Sequence, residues 1–154
     1  MIRYEEYFDR QLPEAYVKSA NSTLRKLFNV ASSPESLLTV NTNAIFAVST
    51  SEVQTRSGVR EVKTIAAFVT LVNFDGKPYI GWLVTSEQFR GHGIASTLIK
   101  LCQQRTSVLT LHEDSTNERL TNFYIRLGFH ITGSRDVPNG IGGFLKQYYM
   151  EWRR

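Results

Sequence analysis

The feature that most constrains the fold is a change of hydrophobic period at Ala44. Ala44 to Thr50, Val62 to Val72 and Tyr79 to Thr85 are rich in Val, Ile, Phe and Thr, with polar or turn segments, Glu52 to Gly58 and Asn73 to Lys77, between them. β-Branched and aromatic side chains suit a pleated, half-buried surface, so three antiparallel strands in a meander are expected here. Before them, Pro13 suits a first helical turn and opens a helix carrying Tyr16, Ala20, Leu24, Leu27 and Phe28 at helical spacing. Ser33-Pro34-Glu35 marks a second, short helix. The helical period returns after Gly93, with Ile94, Ala95, Leu98, Ile99, Leu101 and Cys102 on one face. Ser107 to Leu111 reads as a short strand. Ser115-Thr116-Asn117-Glu118 reads as a capping box, the Ser115 hydroxyl accepting a backbone N–H while Glu118 reaches back. The helix it opens turns Leu120, Phe123, Tyr124 and Leu127 inward, and Gly128 closes it as a left-handed cap. Phe129 to Thr132 and Phe144 to Trp152 are the last two expected strands, joined by a loop holding Pro138, Asn139 and Gly140. The expected order is helices, three strands, helix, strand, helix, two strands, an α/β chain with a mixed sheet.

At 154 residues, without repeat, linker or low-complexity tract, the chain is expected to form a single domain spanning 1–154. Its longest apolar run, Ile65 to Val69, is far short of the ~20 residues a membrane-spanning helix needs, and acid follows closely on Met1-Ile2-Arg3-Tyr4. A membrane or secreted protein is therefore not expected. The single cysteine, Cys102, allows no internal disulfide or cysteine-cluster metal site, which suits a reducing cytoplasm. A net charge of +4 permits a polyanionic partner, but the basic residues are scattered singly and do not single out nucleic acid.

Chemistry concentrates in Val84-Thr85-Ser86-Glu87-Gln88-Phe89-Arg90-Gly91-His92-Gly93-Ile94-Ala95-Ser96, a glycine-bearing loop between an apolar strand and an amphipathic helix. Free N–H groups and the dipole at a helix start attract an anion, glycines let the backbone come close, and Arg90 adds charge. An ordinary strand-to-helix turn would also use glycine for its dihedrals. A Walker loop is excluded, because the Gly-Lys pair, Gly76-Lys77, is followed by Pro78 between two strands. A dinucleotide fingerprint fits poorly: six residues, Thr85 to Arg90, part the strand from Gly91, and Ser96 stands where the third glycine belongs.

These residues resemble the GCN5-related N-acetyltransferases (GNAT). Gln88-Phe89-Arg90-Gly91-His92-Gly93 is similar to the family's pyrophosphate loop, and Gly81-Trp82-Leu83-Val84 to its fourth strand. Asn117, Leu120, Phe123-Tyr124 and Leu127-Gly128-Phe129 resemble its second cofactor motif, and Tyr148-Tyr149-Met150-Glu151 its closing strand. The resemblance covers essentially the whole chain and implies a mixed, mostly antiparallel sheet flanked by helices. It implies acetyl-coenzyme A as donor, an amine as acceptor, no metal, and work as a monomer or homodimer. The backbone of Arg90, Gly91, His92, Gly93, Ile94, Ala95 and Ser96 would take the pyrophosphate, with Gln88 opening the loop. The main chain at Val84 would pair with the pantetheine arm, and Asn117 would anchor that arm.

Acyl transfer to an amine needs a neutral amine, stabilisation of the oxyanion and a proton for the departing thiolate. Tyr124, two helical turns beyond Asn117 and on the same face, corresponds to the family's general acid. Several relatives carry a glutamate on the fourth strand facing the acceptor, but Lys77-Pro78-Tyr79-Ile80-Gly81 offers neither acid nor histidine. The nearest titratable groups are His112, Glu113 and Asp114, and Glu113 acting through water is the expected base. Glu113 and Asp114 also suit a helix approach, as negative charge before an N-terminus. His92 and His130 lack metal-ligand spacing. Two rival readings remain open: a non-catalytic coenzyme A-binding module, and an acetyltransferase of aminoacyl-tRNA.

Overall fold

The computed structural model describes residues 1–28 and 37–154. Their order is β1 (Ile2–Tyr7), α1 (Glu14–Leu27), β2 (Asn43–Thr55), β3 (Gly58–Phe74), β4 (Lys77–Thr85), α2 (Ile94–Arg105), β5 (Val108–Asp114), α3 (Glu118–Arg126), β6 (His130–Pro138) and β7 (Phe144–Arg153). The strands form one seven-stranded sheet in the order β1-β2-β3-β4-β5-β7-β6. β4 and β5 pair in parallel, at Tyr79↔Thr110, while the β1–β2, β2–β3, β5–β7 and β6–β7 pairs are antiparallel. The expected mixed, mostly antiparallel α/β sheet is what forms. The described residues gather into two compact units, Met1–Leu71 with Trp82–Leu98, and Val72–Gly81 with Ile99–Arg154.

In the first unit α1 starts from Pro13, whose carbonyl accepts from Tyr16 and Val17. Tyr16, Ala20 and Leu24 pack with Ala44, Phe46, Val48, Phe68 and Val84 in one buried cluster. Asn21 trades two hydrogen bonds with the backbone of Leu38, Nδ2 to the carbonyl at 2.9 Å and Leu38 N–H to Oδ1 at 2.8 Å. The sequence order omits β1, because Arg3, Glu5 and Glu6 hide its pattern. The half-buried Glu5 is fully engaged there, by the hydroxyls of Tyr7 (2.7 Å) and Tyr16 (2.8 Å) and by Arg3 (2.9 Å). β2 and β3 also run on through the polar segment expected to be a long turn, as a ribbon closed at Thr55↔Gly58. The short helix expected at Ser33-Pro34-Glu35 lies outside the described residues.

In the second unit β7 lies between β5 and β6. β5 runs three residues beyond the expected Leu111, and β6 extends to Pro138. α3 is capped by Asn117 rather than Ser115, Asn117 Oδ1 accepting from Leu120 N–H at 3.1 Å. Asp114 Oδ1 accepts from the N–H and hydroxyl of Thr116, and this turn carries the cap two residues past the expected one. α3 ends as expected. Gly128 has φ +95°, its N–H reaches Ile125 O and the next N–H, of Phe129, reaches Tyr124 O. A Cβ at Gly128 would lie 3.1 Å from the Trp152 ring.

Candidate active site

The first unit supplies the glycine-bearing loop between β4 and α2. Ser86 at the end of β4 is pinned to β3, its N–H donating to Ala66 O at 2.9 Å. A single 3-10 turn, Glu87–Phe89, holds Gln88 exposed, and Arg90 Nε returns to Thr85 O at 3.2 Å. Gly91 and Gly93 have φ +81° and +75°, and nothing lies within 4 Å of a Cβ built at either, so dihedral rather than space requires glycine there. α2 then starts at Ile94, whose buried side chain anchors the first turn. Among the described residues no N–H from His92 to Ser96 donates a hydrogen bond, whereas Thr97 N–H closes onto Gly93 O. Unpaired donors at the start of a twelve-residue helix offer the partners and the dipole that an anion would need. The Val84 side chain is buried in the cluster beneath α1.

The second unit holds the titratable groups, and the pleat of β5 sorts them onto two faces. Leu109, Leu111 and Glu113 share one face, Thr110, His112 and Asp114 the other. On the Glu113 face stands Tyr124, 5% exposed, its ring edge-on to Phe129 (5.3 Å) and Phe123 (5.1 Å). Its hydroxyl makes no hydrogen bond among the described residues. Glu113 Oε2 is the one fully enclosed side-chain polar atom there without a partner, and the Tyr124 hydroxyl, equally unpartnered, is not fully enclosed. Burial first, then Glu113, Cys102 and Tyr79, push its pKa well above the usual phenol value. Asn117 spends its side-chain carbonyl on the α3 cap and keeps its amide nitrogen free of any bond among the described residues.

Glu113 is enclosed. Thr121 Oγ1 lies 2.5 Å from its Oε1 and also 3.1 Å from Asn117 O. Burial raises the Glu113 pKa, Thr121 opposes, and Asp114 adds to the rise. A carboxylate so enclosed is poorly placed to reach an acceptor amine through water.

On the opposite face His112 Nδ1 meets the Tyr79 hydroxyl at 2.9 Å, with Phe74 and Tyr149 at 5.6 and 5.0 Å between ring centres. Burial and the charge of Arg135 lower the His112 pKa, and burial raises that of Tyr79. Imidazole is thereby kept neutral and phenol protonated, so Tyr79 donates and Nδ1 accepts. Sequence reasoning missed Tyr79, which reads only as a strand residue until the parallel register Tyr79↔Thr110 brings β4 beside β5. Cys102 is fully buried. Among the described residues no group of three or more His, Cys, Asp or Glu could hold a metal ion, and no helix is long and apolar enough to cross a membrane.

The sequence profile of the acetyltransferase (GNAT) domain matches residues 54–131. Among solved structures, NAA60 of Arabidopsis thaliana in complex with acetyl-CoA is 16% identical, with a TM-score of 0.72 over 99% of this chain and 98% of that one. The ribosomal-protein-S18-alanine N-acetyltransferase of Escherichia coli is 14% identical, with a TM-score of 0.68 over 99% and 94%. A GNAT-family acetyltransferase of Streptococcus pneumoniae is 15% identical, with a TM-score of 0.62 over the whole of both chains. At such identities the likeness is one of fold. No curated protein sequence gives a match. A family profile over half of the chain, on a fold with a glycine-bearing loop between β4 and α2, is decisive: the chain belongs to the GNAT acetyltransferase family.

Proposed function

We propose that the chain is an acetyl-coenzyme A-dependent N-acetyltransferase, working as one domain, that passes acetyl directly to a primary amine. The observation that carries the reading is the set of unpaired N–H groups from His92 to Ser96 at the start of α2. With Arg90 they suit a pyrophosphate, the group through which coenzyme A is held. The main chain at Val84, on a sheet strand, suits the amide-bearing arm. Acetyl-coenzyme A supplies the activated acyl group, and the rest falls to this chain's side chains.

Tyr124 is the group for the leaving sulfur. Its raised pKa makes full proton transfer to a thiolate costly, so its hydroxyl acts chiefly as a hydrogen-bond donor to developing negative charge. Tyr79 and His112 are the groups for the amine. The Tyr79 oxygen takes the proton of the attacking nitrogen while its own passes to His112 Nδ1, and the imidazolium then loses it to solvent. No covalent enzyme intermediate is needed, and fully buried Cys102 is no nucleophile.

The test is calorimetric binding of acetyl-coenzyme A, followed by thiol release with a panel of amines, peptides, antibiotics and charged tRNA. Donor at ~100 times its Kd should stabilise the fold by about 2.7 kcal/mol. Gly91→Val, forced to adopt φ +81°, should lose that stabilisation. An intact protein that does not bind coenzyme A would refute the reading while leaving the fold assignment untouched.

A further inference from the structure

Thr121 presents a problem of proton counting. Its hydroxyl oxygen is 2.5 Å from Glu113 Oε1 and 3.1 Å from the carbonyl of Asn117, but it owns one proton. With Glu113 ionised both neighbours are pure acceptors, and only one of them can be served. The other carboxyl oxygen, Oε2, is enclosed and meets no donor at all. The groups around the carboxyl offer no remedy. Asp114, beside it on β5, carries the same sign; Tyr148 is its register partner on β7; Tyr124 and Thr121 face it from α3; Cys102 of α2 acts on Tyr124. None is a cation.

We propose that Glu113 is a neutral carboxylic acid in the working protein and serves as a positioning residue for the first turn of α3. Its O–H donates to Thr121 Oγ1, whose own proton goes to Asn117 O. This two-bond chain ties β5 to the turn that carries Asn117, gives a proton to each of the two Thr121 contacts, and leaves the enclosed Oε2 as an uncharged carbonyl oxygen rather than half of a carboxylate. Neutrality has a second consequence. Ionised, Glu113 would place an unpaired negative charge near Tyr124, where it raises the phenol's pKa and opposes negative charge on a leaving sulfur. The burial that raises the Glu113 pKa acts in the same direction as the hydrogen-bond count.

The effect on turnover rests on the reading of Tyr124 above; the protonation state does not. Isotope-edited infrared spectra of 13C-glutamate-labelled protein, wild type minus E113Q, should show a protonated carboxyl band at pH 7. A titration of the wild-type protein alone should keep that band well above the range where free carboxylates ionise, roughly pH 4 to 5. A band lost with the ordinary carboxylates overturns the proposal, and that titration needs no folded variant. In turnover, E113Q should match the wild type within about twofold at pH 7 and lack its alkaline limb. A loss in E113Q of tenfold or more at every pH, with unchanged melting temperature, would also overturn it, by showing that the acid itself reacts. A wild-type protein that turns over no acceptor speaks against the acetyltransferase reading, and the spectrum still decides Glu113.

Discussion

Replacing Tyr124 by phenylalanine separates packing from chemistry. The ring is buried against Phe123 and Phe129, but the hydroxyl bonds to nothing among the described residues. Tyr124→Phe therefore removes no internal hydrogen bond, and unfolding free energy should change by less than about 0.5 kcal/mol. Tyr124→Ala, which removes the ring, should cost roughly 3 to 5 kcal/mol. Chemistry should respond the other way. A hydrogen bond to a charged partner is worth about 1.5 to 3 kcal/mol, which corresponds to a rate loss of roughly 10- to 150-fold. The rate should be read as thiol release in a single turnover, with donor bound and acceptor saturating, so that product release does not mask it. Coenzyme affinity should stay within a factor of two or so. An unchanged single-turnover rate would reduce Tyr124 to a core aromatic, and a stability loss above about 1.5 kcal/mol would show that its hydroxyl is bonded within the protein.

Two further changes probe the rest. His112 accepts a proton only while neutral, so activity should fall as pH drops through its pKa, which lies below ~6.5, and His112→Gln should lose much of its activity together with that acid limb. The same depressed pKa makes His112 contribute stability above pH ~6.5 that is lost as pH falls, a difference His112→Gln should abolish in melting curves. Gly128→Ala must hold a left-handed dihedral and push a methyl to 3.1 Å from Trp152, so denaturant midpoints should report a loss of about 2 kcal/mol or more.

The parts of this molecule that were legible in sequence are those written in local periodicity. The apolar faces of α1 and α2, the three strands from Ala44 to Thr85 and the glycine cap of α3 follow from spacing alone, and the motif pattern pointed to the family. β1 was hidden because its charges mask its period; Glu5 is engaged by Arg3 and Tyr7 on the strand itself and by the Tyr16 hydroxyl from α1, which no local pattern reveals. The shift of the α3 cap turned on an aspartate turn at Asp114 that competes with the expected capping box. The candidate site was legible as a set of residues and not as an arrangement. His112 and Glu113 are sequence neighbours, and only the pleat of β5 reveals that they serve opposite faces. Tyr79 became visible only through the register of a parallel pair, which no local pattern encodes.

The place of β7 carries a consequence for synthesis. It hydrogen-bonds to β5 on one side and β6 on the other, yet it follows both in the chain. A ribosome therefore delivers β5 and β6 before the strand that joins them exists. Until Phe144–Arg153 clears the exit tunnel, β5, with Leu109 and Leu111 among its residues, keeps an open edge, and β6 has nothing to pair with. Open edges of this kind recruit other chains. For this protein the hazardous interval runs from the emergence of β6 to that of β7, and a nascent chain stalled before residue 144 would be the species for a chaperone to hold.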